Sequence, residues 1–222
     1  MSLTKKIDFA IIIGVTNANP NGDPLNGNRP RINYEGYGEI SDVCLKRKIR
    51  NRLIDMGMPI IVQSDDYRSD DYRSIKERYD ANAEIMKLAK EKDGEKKAKV
   101  ACEQWYDVRA FGQVFAGVDD TSASIAIRGP VTIQSAFSIE PIDITTSQIV
   151  KSVNLTTNKK DPSAKSADTM GMKHRVDKGV YVTYGSINRQ LAEKTGFSDA
   201  DAETLKNVLI KIFENDESTA RP

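Results

Sequence analysis

The stretch IDFAIIIGVTNANPNGDPLNGNRPRINYEGYGEISDVCLKRKIRNRLIDM, residues 7–56, decides the fold. It opens with an apolar run at residues 7–15, passes through a loop rich in Asn, Gly and Pro, and ends in a basic segment at residues 41–56. The opening run is apolar at too many successive positions for a strand with one wet face. It reads as a central strand covered on both faces. Residues 16–28 are turn chemistry throughout, and a loop this long inside a compact domain is usually functional or disordered. In the last part, Leu45, Ile49, Leu53 and Met56 follow the spacing of one buried helical stripe. Ser41 suits an N-cap, and Asp42 stands in the first turn, where negative charge suits the helix dipole. Gly57 and Pro59 stop the helix. With Leu45 inward, Arg47, Arg50 and Asn51 project away, flanked by Lys46, Lys48 and Arg52. No acid lies between Asp42 and Asp55. An ordinary solvated helix face interleaves Glu with Lys. Five cations without local neutralisation, beside a loop full of amide donors, point instead to phosphate binding.

Composition narrows the function classes. A chain of 222 residues can bury a sizeable core as one domain, or as a core with an insertion. The net charge is only +1, so local patches would have to steer any polyanion. Two cysteines, Cys44 and Cys102, and one histidine, His174, do not make a structural zinc site. No metal and no cofactor is expected, and sparse cysteine use fits a reducing, cytoplasmic setting. The N-terminus makes a poor signal peptide, since its short apolar run contains Asp8 and leads into Asn, Pro and Gly. No apolar run approaches the ~20 residues that span a bilayer, so no membrane partner is expected.

Further along, DDYRS occurs at 65–69 and again at 70–74, too few copies for a repeat fold, and reads as a loop or helix start. Residues 72–115 look helical. Ile75, Tyr79, Ile85, Leu88 and Ala89 form a partial stripe that Asp93-Gly94 breaks. A second helix carries Ala101, Trp105, Val108, Phe111 and Phe115, with Arg109 exposed or half-buried and Trp105 in the core. Residues 124–128, with Ile125 and Ile127 on one face, and 131–139, which alternates over most of its length, read as two strands or one bent strand broken at Gly129-Pro130. Residues 140–178, rich in Thr, Ser, Asn and Lys, read as a long protruding hairpin, and 179–187 as a strand. Ser198 caps a last helix with Ala202, Leu205, Leu209, Ile212 and Phe213 inward. Setting the insertions aside, the order is strand, helix, strand, strand, helix. That is an α+β, ferredoxin-like βαββαβ unit without its final strand.

Several motifs carry a resemblance. They are VTNANPNGDP (15–24), ISDVCLKR (40–47), DVRAFG (107–112), RGPV (128–131) and MGMKHR (170–175). Together they resemble the backbone subunit of Cascade, the RNA-guided surveillance complex of type I CRISPR systems (the Cas-seven family), most closely its type I-C members. The likeness covers nearly the whole chain. The departure is at the C-terminus, where family members carry a closing strand.

The resemblance implies a hand-shaped molecule. Its RRM-like palm would comprise residues 1–60, 120–139 and 179–222, its helical fingers residues 61–119, and its thumb hairpin residues 140–178. It implies a non-enzymatic protein that holds guide crRNA by its phosphates. Copies would stack in a helical filament with the small backbone-capping and large Cascade subunits. The guide would pair with a target DNA strand in antiviral defence. Carried over residue by residue, the RNA contacts are Ser41, Lys46, Arg47 and Arg50 on the first helix, with Asn19 and Asn21 in the loop. Arg109 joins them, as do Lys173, His174 and Arg175 on the thumb. Met170 and Met172 would be the apolar wedge that separates stacked bases, with ordinary hairpin packing as the competing account. The opening strand offers Phe9 alone as a stacking aromatic, so contacts should be blind to sequence, and base pairing would read the target. One rival is a type III-like subunit that cleaves RNA through Asp23. Others are a solitary single-strand RNA-binding module and a scaffold without nucleic acid. No nucleophile–base pair or Walker motif appears.

Overall fold

The computed structural model describes residues 2–88, 94–116, 124–150 and 170–221. In chain order the strands and α-helices begin with β1 (Ile7–Ala18), β2 (Gly22–Asp23), β3 (Arg29–Pro30), β4 (Tyr37–Ile40) and α1 (Asp42–Asp55). Four short helices follow, α2 (Ile75–Asp80), α3 (Ala83–Lys87), α4 (Gly94–Gln104) and α5 (Tyr106–Phe111). Then come β5 (Gly112–Phe115), β6 (Ile125–Arg128), β7 (Val131–Ile133), β8 (Ala136–Pro141), β9 (Ile144–Val150) and β10 (Met170–Ile187). Helices α6 (Arg189–Thr195) and α7 (Asp199–Ile210) close the series. The chain forms two compact units, Met1–Ile11 with Asp42–Ser135 and Thr183–Asp216, and Ile12–Ser41 with Ala136–Val182 and Glu217–Pro222.

The first unit is mainly helical. Cys44, Leu45, Ile49 and Leu53 of α1 are buried, as their spacing predicts. Met56 is not: the helix ends at Asp55, Gly57 turns left-handed at φ 75°, and the Met56 side chain is 47% exposed. Lys48 takes a buried place on the stripe instead. Trp105, Tyr79 and Phe115 form a core with Ile61, Ile85, Ala101, Cys102 and Val108. The Tyr79 ring centroid lies 6.4 Å from Trp105 and 4.8 Å from Phe115.

The single helix expected through Phe115 is divided. Trp105 is extended, at φ −118° and ψ 125°, and starts α5. Phe115 belongs to β5, which pairs antiparallel with β6. Gly112 makes the turn possible. Its φ is 81°, and a Cβ there would lie 2.2 Å from the Ile127 carbonyl oxygen. The two DDYRS copies also diverge. The first enters a single 3-10 turn. In the second, Asp70 accepts from Arg78 at 2.8 and 2.9 Å, and Ser74 caps α2.

Helix α7 begins with a capping box between Ser198 and Asp201. Its buried stripe is Ala202, Leu205 and Val208, so Val208 rather than Leu209 faces inward. Asp201 accepts from Arg109 at 2.8 Å, and its backbone carbonyl accepts from the Tyr106 hydroxyl at 2.7 Å.

The second unit is built on a sheet in which β1, β10, β8 and β4 follow one another. Glu39 and Val182 both stand opposite Phe137 across antiparallel ladders. β9 pairs antiparallel with β10 from Met170↔Val150 to Val176↔Ile144. Residues 151–169 of the expected hairpin lie outside the described residues, as do Ala89 and Asp93. β1 departs from expectation. It stands at the end of the strand order and is covered on one face only: Ile13 and Val15 are buried, whereas Ile12 is 73% exposed. Its run of successive apolar residues therefore leaves alternate apolar side chains uncovered.

Two predictions follow from buried contacts in the first unit. Burial opposes ionisation of Asp201, but hydrogen bonds from Arg109 and Ser198 outweigh it and hold its carboxyl below the usual range. The stability it contributes is complete above the unfolded-state value of about 4 and is lost as pH falls through the lower folded value. Asp201→Asn should lower the melting temperature at pH 7 and flatten its decline below about pH 4, read by thermal melts across that range. Gly112→Ala should cost more than about 1 kcal/mol in denaturant unfolding, because the added methyl meets backbone at a positive φ.

Candidate nucleic-acid interface

The first unit carries the cationic helix. Its five cations are far less free than local sequence implied. Lys48 is fully buried and ion-paired with Asp216, beneath the Phe213 ring at 5.1 Å. Arg52 pairs with Asp55 and Glu214. Arg50 donates from Nε to Asp107 at 3.0 Å and lies over the Phe111 ring. Lys46 reaches Asp42 at 3.0 Å along the helix and keeps partial exposure. Arg47 is exposed. Thus α1 presents Arg47 and, in part, Lys46, whereas Arg50 braces the unit. Arg109, also expected at the interface, is committed inward: it bonds Asp201, donates to the Cys102 carbonyl and stacks on Tyr106. Burial pushes the Cys102 thiol up to about 11, which makes it a poor nucleophile at neutral pH.

In the second unit the loop residues separate. Asn21 holds Ser41: its Oδ1 accepts from the Ser41 backbone N–H and hydroxyl, both at 2.9 Å. Asn19 is only 2% exposed. Its Nδ2 donates to the Asn28 carbonyl at 2.7 Å and its backbone N–H to the Ala220 carbonyl at 2.8 Å. It shapes the loop from inside and does not offer its amide at the surface as expected. Asp23 accepts from Leu25 N–H at 3.2 Å, starting a short 3-10 turn, and from Arg31 at 3.4 Å. No group of three or more His, Cys, Asp or Glu side chains able to hold a metal occurs among the described residues.

The start of β10 sorts its side chains by strand parity. Met170, Met172 and His174 fall on one face, Lys173 and Arg175 on the other. Met170 is 64% exposed and Met172 56%, so the described hairpin does not bury them. His174 Nδ1 lies 2.9 Å from Thr146 Oγ1, which also accepts from Arg29 at 3.4 Å. Lys173 is exposed, and Arg175 lies 3.6 Å from Asp177. A cavity of about 280 Å³ is lined by Asn19, Asn28, Ile149, Met172, Lys173 and His174. Arg29 was not singled out from sequence. Its only signal is a cation within the Gly- and Asn-rich loop.

A solved chain described as "CRISPR RNA-guided surveillance complex, pre-nicking" shares this fold with a TM-score of 0.57 at 16% identity, covering 98% of this chain and 76% of that one. The CRISPR-associated protein Cas7 of Haloferax volcanii is 24% identical over 235 residues, spanning 100% of this chain and 67% of the relative. The family model described as CRISPR-associated protein Cas7 matches residues 5–222, and the chain belongs to that family.

Proposed function

We propose that this protein is the backbone subunit of a type I, I-C-like, CRISPR surveillance complex in the cytoplasm. It holds guide crRNA by its phosphates without reading sequence. Copies repeat along the guide as a helical filament alongside small capping and large subunits. The bound guide then pairs with a target DNA strand in antiviral defence. The palm is the ferredoxin-like part, with helical fingers at 61–119 and the thumb at 140–178.

The observation that carries this reading, given membership of the family, is the parity of β10. One face of the limb offers exposed Met170 and Met172, and the other offers Lys173 and Arg175. An apolar edge that enters between bases, backed by cations that meet the flanking phosphates, is what nucleotide unstacking requires. Ser41 and Asn21 supply further polar groups in the same unit. Arg47 and Lys46 supply cations from the first unit. Binding is favoured over RNA cleavage because the Asp23 carboxylate is already engaged by Leu25 and Arg31.

Native mass spectrometry with RNAs of increasing length tests the reading. Protein copies should rise in steps with length and be indifferent to scrambled sequence, whereas one copy at every length would leave a solitary RNA-binding module. Arg47→Ala and Lys173→Ala should each weaken RNA binding and reduce the salt-dependence slope by about 0.7 for a single strand. Arg50→Ala should instead reduce stability by about 3 kcal/mol, because it strands the buried Asp107 carboxylate. Chemical denaturation separates that loss from a binding defect. With 2-aminopurine placed along the guide, fluorescence should brighten at regular intervals, and Met172→Gly should dim those positions.

A further inference from the structure

The sheet of the second unit has an uncovered apolar face. Strand parity places Phe137, Ile139 and Pro141 of β8 on it, with Val180 and Val182 of β10 alongside and Ile12 from β1. Ile12 is 73% exposed, Ile139 59% and Phe137 44%. Contiguous exposed apolar surface of this kind marks a site of association. Next to it, a rigid turn projects a fully exposed Tyr34. Asn33 Oδ1 accepts from the N–H groups of Glu35 and Tyr37, and the Asn33 carbonyl accepts from Gly36.

The chemistry of the face selects a protein over RNA. Its side chains are mainly aliphatic beside Phe137, and Glu39 stands directly opposite Phe137. Glu35 adds a second carboxylate in the turn, and Lys178 is the cation on the same side of β10. Single-strand RNA platforms set their stacking rings in a cationic groove, and carboxylates repel phosphates.

We infer that this face is the contact for a second copy of the chain, whose helix α7 lays Ile210 against Phe137 and Ile139. Ile210 is 73% exposed and flanked by Lys206 and Lys211. Among the described residues those lysines are held by exposed pairs, with Glu203 at 3.3 Å and Glu214 at 3.5 Å, which are weak enough to exchange. An isoleucine between two lysines complements an aliphatic face that carries Glu39 and Glu35. The two patches differ, so the contact is heterologous and can repeat from copy to copy, as the proposed filament requires. The inference rests on the proposed filament and identifies the surfaces that build it.

A charge exchange tests it. Ile139→Lys and Ile210→Glu each place a charge against its like across the contact. Each should weaken the binding of second and later copies on a long RNA about tenfold, and affinity for a short RNA that holds one copy should stay within about twofold. A mixture of the two variants, or one chain with both changes, pairs the new charges and should recover most of the loss. Wild-type assembly by both single variants, or additive loss without recovery, overturns the inference and leaves the RNA reading intact. Short-RNA affinity that moves with the charge assigns the face to RNA, which also overturns it. A wild type that remains a single copy on every RNA overturns the filament and the inference together.

Discussion

The carboxylate of Asp107 organises the first unit. It is 1% exposed and accepts from the backbone N–H groups of Ile61 and Val62 at 3.0 and 3.1 Å, and from Arg50 at 3.0 Å. A buried charge is tolerated only when its lone pairs are satisfied, and here one carboxylate joins α5, the segment after α1, and α1 itself. That fixes the helix rotation. With Arg50 turned to Asp107, the Leu45–Ile49–Leu53 stripe faces the core, Lys48 is carried inside to Asp216, and Arg47 is left outside. The outward cation is chosen by these inward ones.

How much of this was legible follows from where each partner lies in the chain. The apolar stripe of α1 is a property of the helix alone, so its spacing revealed it. The fate of its cations is not, because the acid that meets Arg50 lies 57 residues away, and Glu214 and Asp216, which meet Arg52 and Lys48, lie 162 and 168 residues away. Local charge counting finds no acid between Asp42 and Asp55 and so overstates the positive patch. Asn19 and Asn21 show the same limit at shorter range. Both stand in one Asn-rich loop, yet one is sealed beneath Asn28 and the other holds Ser41. β1 misled for another reason: an apolar run reads as two-sided burial, and nothing in the run reports that its strand ends the order.

The first part of β10 illustrates what parity adds to motif. MGMKHR as a motif gathers three basic residues behind two methionines. As a strand it deals them alternately, so His174 joins the methionine face and bonds Thr146, while Lys173 and Arg175 share the opposite one. The motif identifies the residues, and the period of two assigns them different work.

The count of free cations then bears on assembly. Among the predicted contacts, Lys46, Arg47, Lys173 and Arg175 reach the surface, and two of these have a carboxylate close by. Even if all four met phosphates, the salt slope for a single strand would be about −3 per copy, the mark of weak electrostatic binding. One copy holding RNA by these four contacts alone would be easily lost at physiological salt. Adjacent copies that touch convert each further binding event into one at high effective concentration, without adding a single phosphate contact. In the proposed filament, a chain that commits most of its helix cations to its own stability would depend on its neighbours to stay on the guide. The apolar face inferred to meet a second copy would be the surface that meets that dependence.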